Sequence, residues 1–482
     1  MQSYSKFANN EEIKKGLTRI DRELKVERSG MPFFHDEDSI YVDDKDSHIV
    51  VIGSTGSGKT QSTVLPQLRL SMLSGESIVA IDEMGELYKL LGTELKKRDY
   101  ITYVINFQDT DYSNNFNPLL VPYRLYKQGH QDTAMRIVEK IGNIIYTPEN
   151  KEADPFWNNS AKNYFVGLVL YLFDNAKEKE INFNSVYDLA SQIETFHKGR
   201  ELLYSLSPTS PAYINLSSII LAPTETRGGI LSVFRQALGQ LTSRTQISSM
   251  LSENDFTLED LIGKKFAIFI VGEPTKDVSK YMTMIIEELY QVVNTKGRGN
   301  KRINVILDRF TELCPIEDFH IILSRSRSLN IRFTILIDSI SSLTLLYGKE
   351  ETLLIYNNIS TIIYLYSSDE STLRKISELA GLESENNPLV SVQELKTFKI
   401  FEALILKARE YPIKTKLIPD YQLPWNMSKE ECKLPTRFFS PTSIYKMENS
   451  EPAPLPSTGF DLDAMLKDID KKIAEIDRKI DK

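Results

Sequence analysis

Residues Gly53 to Thr60, "GSTGSGKT", satisfy the spacing G-x-x-x-x-G-K-[ST]. Gly53, Gly56 and Gly58 let backbone N–H groups turn inward around phosphate oxygens, and Ser54, Thr55 and Ser57 complete the loop. Lys59 supplies a point charge for the β- and γ-phosphates, and the Thr60 hydroxyl is a ligand for Mg2+. An apolar run, "HIVVIG", precedes the loop, and "QSTVLPQLRLSML" follows it with helical periodicity. That is the strand–loop–helix context the motif requires, so the chemistry it implies is binding of ATP or GTP with Mg2+.

A loop of this kind needs a carboxylate at the end of a nearby strand to hold the magnesium shell. Asp308, after "INVIL", is the preferred residue, and Asp82, after "SIVA", is its competitor. In "NVILDRF" the residue after Asp308 is Arg309, where many ATP-driven machines keep a glutamate.

The elements that must position these groups follow from hydrophobic periodicity. Strand-like runs at 48–53, 77–82, 100–106, 265–272, 303–308, 331–338 and 360–366 alternate with helical segments. The pattern predicts an α/β fold with a mostly parallel sheet covered by helices. Residues 1–47 form a lead-in, and 48–154 the first part of a nucleotide-binding domain. From 155 to 245 the β-branched runs give way to helical patterns, which reads as an inserted all-α domain, and 246–425 completes the nucleotide-binding domain. The remainder, 426–482, is a linker rich in Pro, Ser and Gly at 450–459 and then a helix. Apolar residues at 462, 466, 469, 473, 476 and 480 give that helix a heptad seam for its own copies or a partner.

Composition narrows the options. The 482 residues are 41% hydrophobic and 26% charged, and no apolar run approaches the length that spans a bilayer. The start has no apolar core of a signal peptide, so the expectation is a chain that stays inside the cell. Two cysteines and five scattered histidines provide neither a disulfide framework nor a zinc site. A net charge of −8 excludes a coat of nucleic acid over the whole surface, but not a basic channel. The stretch "NTKGRGNKR" (294–302) suits either a phosphate-tracking loop or an exposed turn.

Eight segments, in order, resemble the coupling proteins of type IV secretion and conjugation, the TraG/TraD-like DNA-transfer ATPases. They are "SKFANNEEIKK" (5–15), "IDEMGELY" (81–88), "FNPL" (116–119), "DPFWNNSAKNYF" (154–165), "TRGGILS" (226–232), "DFTLEDL" (255–261), "ILDRFTELCPIEDF" (306–319) and "LLYGKEE" (345–351). The resemblance covers roughly residues 5–425. It implies a RecA-type P-loop ATPase that assembles as a homo-hexamer and carries a substrate-selecting helical domain. Such a protein recruits single- or double-stranded DNA, with a relaxase or other protein cargo, and delivers it to a type IV secretion channel at the inner face of the cell membrane. The resemblance also implies Lys59 and Thr60 as the Walker A pair and Asp308 as the Walker B aspartate. Arg327, with Arg325 as the alternative, would be an arginine finger acting on a neighbouring subunit.

The chain departs from the family pattern. Arg309 replaces the usual glutamate, Asp338 replaces the glutamine that ends the strand between the P-loop and Walker B strands, and Met84 replaces a lysine. One expectation is a relocated base, with Asp338 orienting the attacking water and Arg309 pairing with it or meeting the γ-phosphate. Its rival is an Arg309–Asp338 ion pair in a disabled motor, with Glu83 and Glu312 as nearby substitutes. Family members commonly carry N-terminal membrane helices and this sequence shows none, which fits either a separate membrane-anchor subunit or a truncated gene product. Two function classes follow: a DNA translocase, or a weakly hydrolysing recruitment platform whose assembly ATP controls. A chromosome-partitioning or packaging ATPase is more distant, because it would lack the "DPFW" and "ILDRFTELCPIEDF" contexts.

Overall fold

The computed structural model describes residues 4–447 except 22, 37–38, 149–153 and 429. The predicted C-terminal heptad lies outside the described residues.

Short strands β1 (Thr18–Asp21), β2 (Met31–His35) and β3 (Ser39–Asp43) form a small antiparallel sheet in the lead-in, with β3 in the middle. The main sheet begins with β4 (His48–Gly53), β5 (Ser77–Asp82) and β6 (Ile101–Asn106). It continues with β7 (Phe266–Val271), β8 (Ile303–Leu307), β9 (Ile331–Ile337) and β10 (Ile359–Tyr366). A two-stranded hairpin, β11 (Leu382–Ser384) and β12 (Asn387–Pro388), precedes the edge strands β13 (Glu402–Lys407) and β14 (Ile413–Lys416). The nine-stranded order is β14-β13-β10-β4-β9-β8-β5-β7-β6. From β10 to β6 every neighbouring pair is parallel, while β13 and β14 add antiparallel turns at one edge.

All seven strand-like runs of the sequence are strands of this sheet. Its central strands are buried along their whole length, as strands covered on both faces must be. The order also places β9 between the P-loop strand β4 and the Asp308 strand β8, as the resemblance implied.

Between β6 and β7 the chain is helical over a longer stretch than 155–245. Helices Leu120–Lys127 and Gln131–Ile145 come first, and Gln131–Ile145 packs on the central helix Pro155–Asn175. The central helix starts within "DPFW": Asp154 accepts from the Phe156 N–H at 2.9 Å, and Pro155 takes the first helical position. Its second half, Tyr164 to Phe173, is buried throughout, which explains an apolar content higher than one helix face needs.

The described residues of 426–445 have no regular structure, yet they are docked. The Cys432 N–H donates to Lys89 O at 2.8 Å, and the Arg437 N–H to Asp111 O at 2.8 Å. Further on, the Tyr445 N–H donates to Ser185 Oγ at 3.0 Å, and Asn182 Nδ2 to Ser443 O at 2.8 Å. Helix Glu86–Lys97 leaves room for this strap at Gly92, where a Cβ would come within 2.8 Å of Cys432. The strap therefore runs from the sheet's flanking helix to the inserted helices.

Candidate nucleotide site

The loop from Ser54 to Gly58 sits at the carboxyl end of β4, at the edge where ligands of parallel sheets bind. The Ser54 N–H donates to Tyr366 O at 2.9 Å, which ties the loop to the end of β10. Gly58 adopts φ +91°, a conformation that disfavours any side chain. The chain then winds one wide turn over Thr60–Val64 before the regular helix Leu65–Ser74. Thr60 is exposed at the start of that turn, and Ser57 Oγ is buried without a hydrogen-bond partner in the loop.

Lys59 Nζ donates to Gly53 O and to Asp338 Oδ1, the latter at 3.0 Å. Asp338 follows β9 directly, so its carboxylate reaches the loop from the adjacent strand. Asp308 follows β8, and its Oδ1 accepts from the Arg309 N–H at 2.9 Å. Burial pushes the Asp308 carboxyl up, while the Lys59 charge and the Arg309 N–H pull it down. Lys59, Asp308 and Asp338 are thus brought together at one end of three neighbouring strands.

Asp82 is used differently. Its carboxylate accepts from the N–H groups of Glu86, Leu87 and Tyr88 at 3.0, 2.8 and 3.2 Å, at the start of helix Glu86–Lys97. Burial raises it to about 6 despite these three donors. Helix capping accounts for Asp82 and leaves Asp308 as the strand-end carboxylate beside Lys59.

The expected Arg309–Asp338 pair is not formed. Arg309 sits in the left-handed region at φ +51°, its Nε donates to Glu83 Oε2 at 2.5 Å, and its Nη1 donates to Glu312 Oε1 at 2.9 Å. Two carboxylates from the ends of β5 and of the turn after β8 hold the guanidinium, while Asp338 is held by Lys59. In the sequence Glu83 and Glu312 stand out only as substitutes for a base, because nothing in a one-dimensional pattern shows which way they point.

Arg325 and Arg327 lie outside this cluster. Both are exposed, at the end of helix Phe319–Ser326 and just beyond it. The Arg327 charge helps hold the His48 imidazole low, at about 4, after burial as the larger cause. His48 begins β4 and Gly53 ends it, so Arg327 stands at the far end of the strand from its own phosphate loop. In the basic stretch 294–302, Arg302 is buried, with Nε 3.0 Å from Glu76 Oε2, and Lys296 is paired with Glu259. Arg298 remains exposed.

One neighbour of the loop carries no signal in the sequence. A Cβ on Gly58 would lie 2.7 Å from Phe401 Cε1 and 3.5 Å from Ile400 Cγ1, so the segment entering β13 rests directly on the phosphate loop.

Among the described residues no group of three or more His, Cys, Asp or Glu side chains could hold a metal by itself, and no helix is long and apolar enough to cross a membrane. The Thr60 hydroxyl and the Asp308 carboxylate are hard oxygen donors, which fit Mg2+ brought in with a polyphosphate.

A parallel sheet, a glycine loop after its central strand and strand-end carboxylates on the two next strands define a RecA-like P-loop protein. The chain belongs to the type IV secretory system conjugative DNA transfer family, whose model matches residues 3–398. It is 24% identical over 347 residues to the protein VirD4 of Rhizobium radiobacter, covering 69% of this chain and 48% of that one. The chain thus spans about half the length of the curated relatives it matches. Among solved structures, the bacterial conjugative coupling protein TrwB in complex with sulphate superposes with a TM-score of 0.65 at 14% identity, covering 89% of this chain and 98% of that one. TrwB in complex with ADP and Mg2+ gives 0.61 at 15%, covering 87% and 96%. At these identities the structural likeness establishes the fold.

Proposed function

We propose that the chain binds ATP with Mg2+, hydrolyses it, and uses the cycle to move DNA and attached protein cargo into a type IV secretion channel. The convergence of Lys59, Asp308 and Asp338 at the glycine loop carries this reading. Family membership and a relative described as a conjugative coupling protein supply its biological direction.

In the proposed cycle, Lys59 leaves Gly53 O and Asp338 for the β- and γ-phosphates, and the loop amides with Ser57 close around the remaining oxygens. Thr60 and Asp308 would hold a magnesium ion, which would neutralise phosphate charge. Asp338, released from Lys59, accepts a hydrogen bond from the attacking water, as a relocated base. Arg309 stays between Glu83 and Glu312 and takes no part. Arg327, at the far end of β4 from its own loop, reaches the nucleotide of the next copy in a homo-hexamer. DNA, relaxase-type cargo and channel components are the partners of this reading. The place of action is the cytoplasmic face of the membrane.

The test is phosphate release from ATP by the purified protein, with and without single- and double-stranded DNA, beside a Lys59→Ala control. Release stimulated by DNA and abolished in the control is expected. Nucleotide binding without release, at any DNA concentration, would overturn the motor reading.

A further inference from the structure

A nucleoside triphosphate has a direction, and the sheet order gives this site a direction too. Asp338 and Asp308 follow β9 and β8, on one side of β4. The other side of β4 carries β10 and then β13. If the γ-phosphate faces the carboxylates, the opposite end of the nucleotide leaves the loop toward β10 and β13.

There the chain has built an apolar ledge. Phe401 lies against Gly58 closely enough that a Cβ on that glycine would sit 2.7 Å from its ring. Ile400, beside it, is 57% exposed although large and apolar. Phe401 is held at φ +69°, a costly conformation for a non-glycine residue. Three hydrogen bonds maintain it: the Leu417 N–H to Phe401 O at 2.8 Å, the Glu402 N–H to Lys399 O at 2.9 Å, and the Lys399 N–H to Glu402 Oε2 at 2.8 Å. Backbone strain maintained by surrounding bonds is characteristic of ligand clamps.

We infer that Ile400 and Phe401 form the nucleobase subsite, with Ile400 packing on the flat face of the base and Phe401 fixing that ledge against Gly58. The inference rests on the nucleotide reading above and adds the part of the ligand that the phosphate loop does not touch. An aliphatic side chain contacts a ring face and offers no hydrogen bond to its edge. The ledge therefore recognises a nucleobase as a plane rather than by its exocyclic groups.

The experiment measures affinities of the full chain for ATP and for inorganic tripolyphosphate, which has the phosphates without the base. Ile400 is exposed, so Ile400→Glu and Ile400→Ala leave the folded core alone. ATP affinity is expected to fall about tenfold in Ile400→Glu and less in Ile400→Ala, the size of one lost base contact, while tripolyphosphate affinity holds within about twofold. Lys59→Ala should weaken both ligands together. An equal loss for ATP and tripolyphosphate in Ile400→Glu, or no loss for either, overturns the subsite. If the unaltered protein binds neither ligand, the nucleotide reading falls, and the subsite with it.

Discussion

Lys59 Nζ and Asp338 Oδ1 meet at 3.0 Å across 279 residues of sequence, so the lysine of the glycine loop already carries a carboxylate. A triphosphate must replace that carboxylate to reach the lysine. Side-chain exposure is 14% for Lys59 and 55% for Asp338, so solvent screens the pair and its removal releases little energy. Asp338→Asn is therefore expected to tighten ATP binding by no more than about fivefold. Turnover should fall by about 10²-fold or more, as for loss of a positioned catalytic group. Turnover at the wild-type rate would remove Asp338 from the mechanism.

Arg309→Ala tests the residue that stands in the glutamate position. The guanidinium is 38% exposed and engaged by Glu83 and Glu312, and alanine meets the same backbone cost at φ +51°. Loss of two exposed ion pairs should change stability by about 1 kcal/mol or less and leave turnover within about threefold. Thermal unfolding and phosphate release check the two expectations. A collapse of turnover would mean that Arg309 leaves its carboxylates to meet the nucleotide.

Arg327→Ala should retain ATP affinity and lose turnover by about 10³-fold or more if the residue acts as a finger. Because Arg327 stands away from its own loop, mixing Arg327→Ala chains with Lys59→Ala chains should restore part of the activity. Mixed assemblies place an intact finger beside an intact loop. No recovery in any mixture, or recovery with Arg325→Ala in place of Arg327→Ala, would reassign the role.

Stability should depend on pH through Glu287, a residue of helix Lys276–Lys296. Lys140 on helix Gln131–Ile145, Glu317 and Asp318 before helix Phe319–Ser326, and Gln291 on its own helix all act on it. Burial raises its carboxyl to about 7, and Oε2 has no hydrogen-bond partner. An acid whose pKa is raised by folding favours the fold while protonated, so this contribution is complete below the ordinary value of 4.5 and is lost as pH rises through about 7. Glu287→Gln should flatten the melting temperature across that window and raise stability at pH 8, by an amount on the order of 2–3 kcal/mol. An unchanged pH profile would show that the carboxylate stays ionised and compensated.

Much of this was legible in one dimension because the parallel strands are buried on both faces and so appear as unbroken apolar runs such as "FAIFIV" and "HIVVIG". The phosphate loop is legible for a different reason, since its chemistry is local to eight residues. What stayed hidden depends on distant partners. β1 and β3 are short, and their inward residues, Ile20, Ile40 and Val42, are too few to show an alternation. Helix Gln131–Ile145 is amphipathic, but it lies in a stretch assigned to the nucleotide-binding domain by its neighbours. The pairing of Arg309 with Glu83 spans 226 residues, and the rest of Phe401 on Gly58 spans the two ends of the domain. No periodicity records such contacts.

An insertion between two strands normally behaves as a cassette, joined at one entry and one exit and open to replacement by recombination. The strap at 426–445 adds a third seam here, because Ser443 and Tyr445 bind the start of helix Phe183–Gln192 after Cys432 has bound beside Gly92. Transferring these helices to the sheet of a relative without that segment would leave Asn182 Nδ2 and Ser185 Oγ without their bonds to Ser443 and Tyr445, and the Gly92 groove would stay behind. In lineages of this family that share such a seam, the inserted helices and the segment after β14 should travel as one heritable unit, although the 180 residues of 246–425 separate them in the gene.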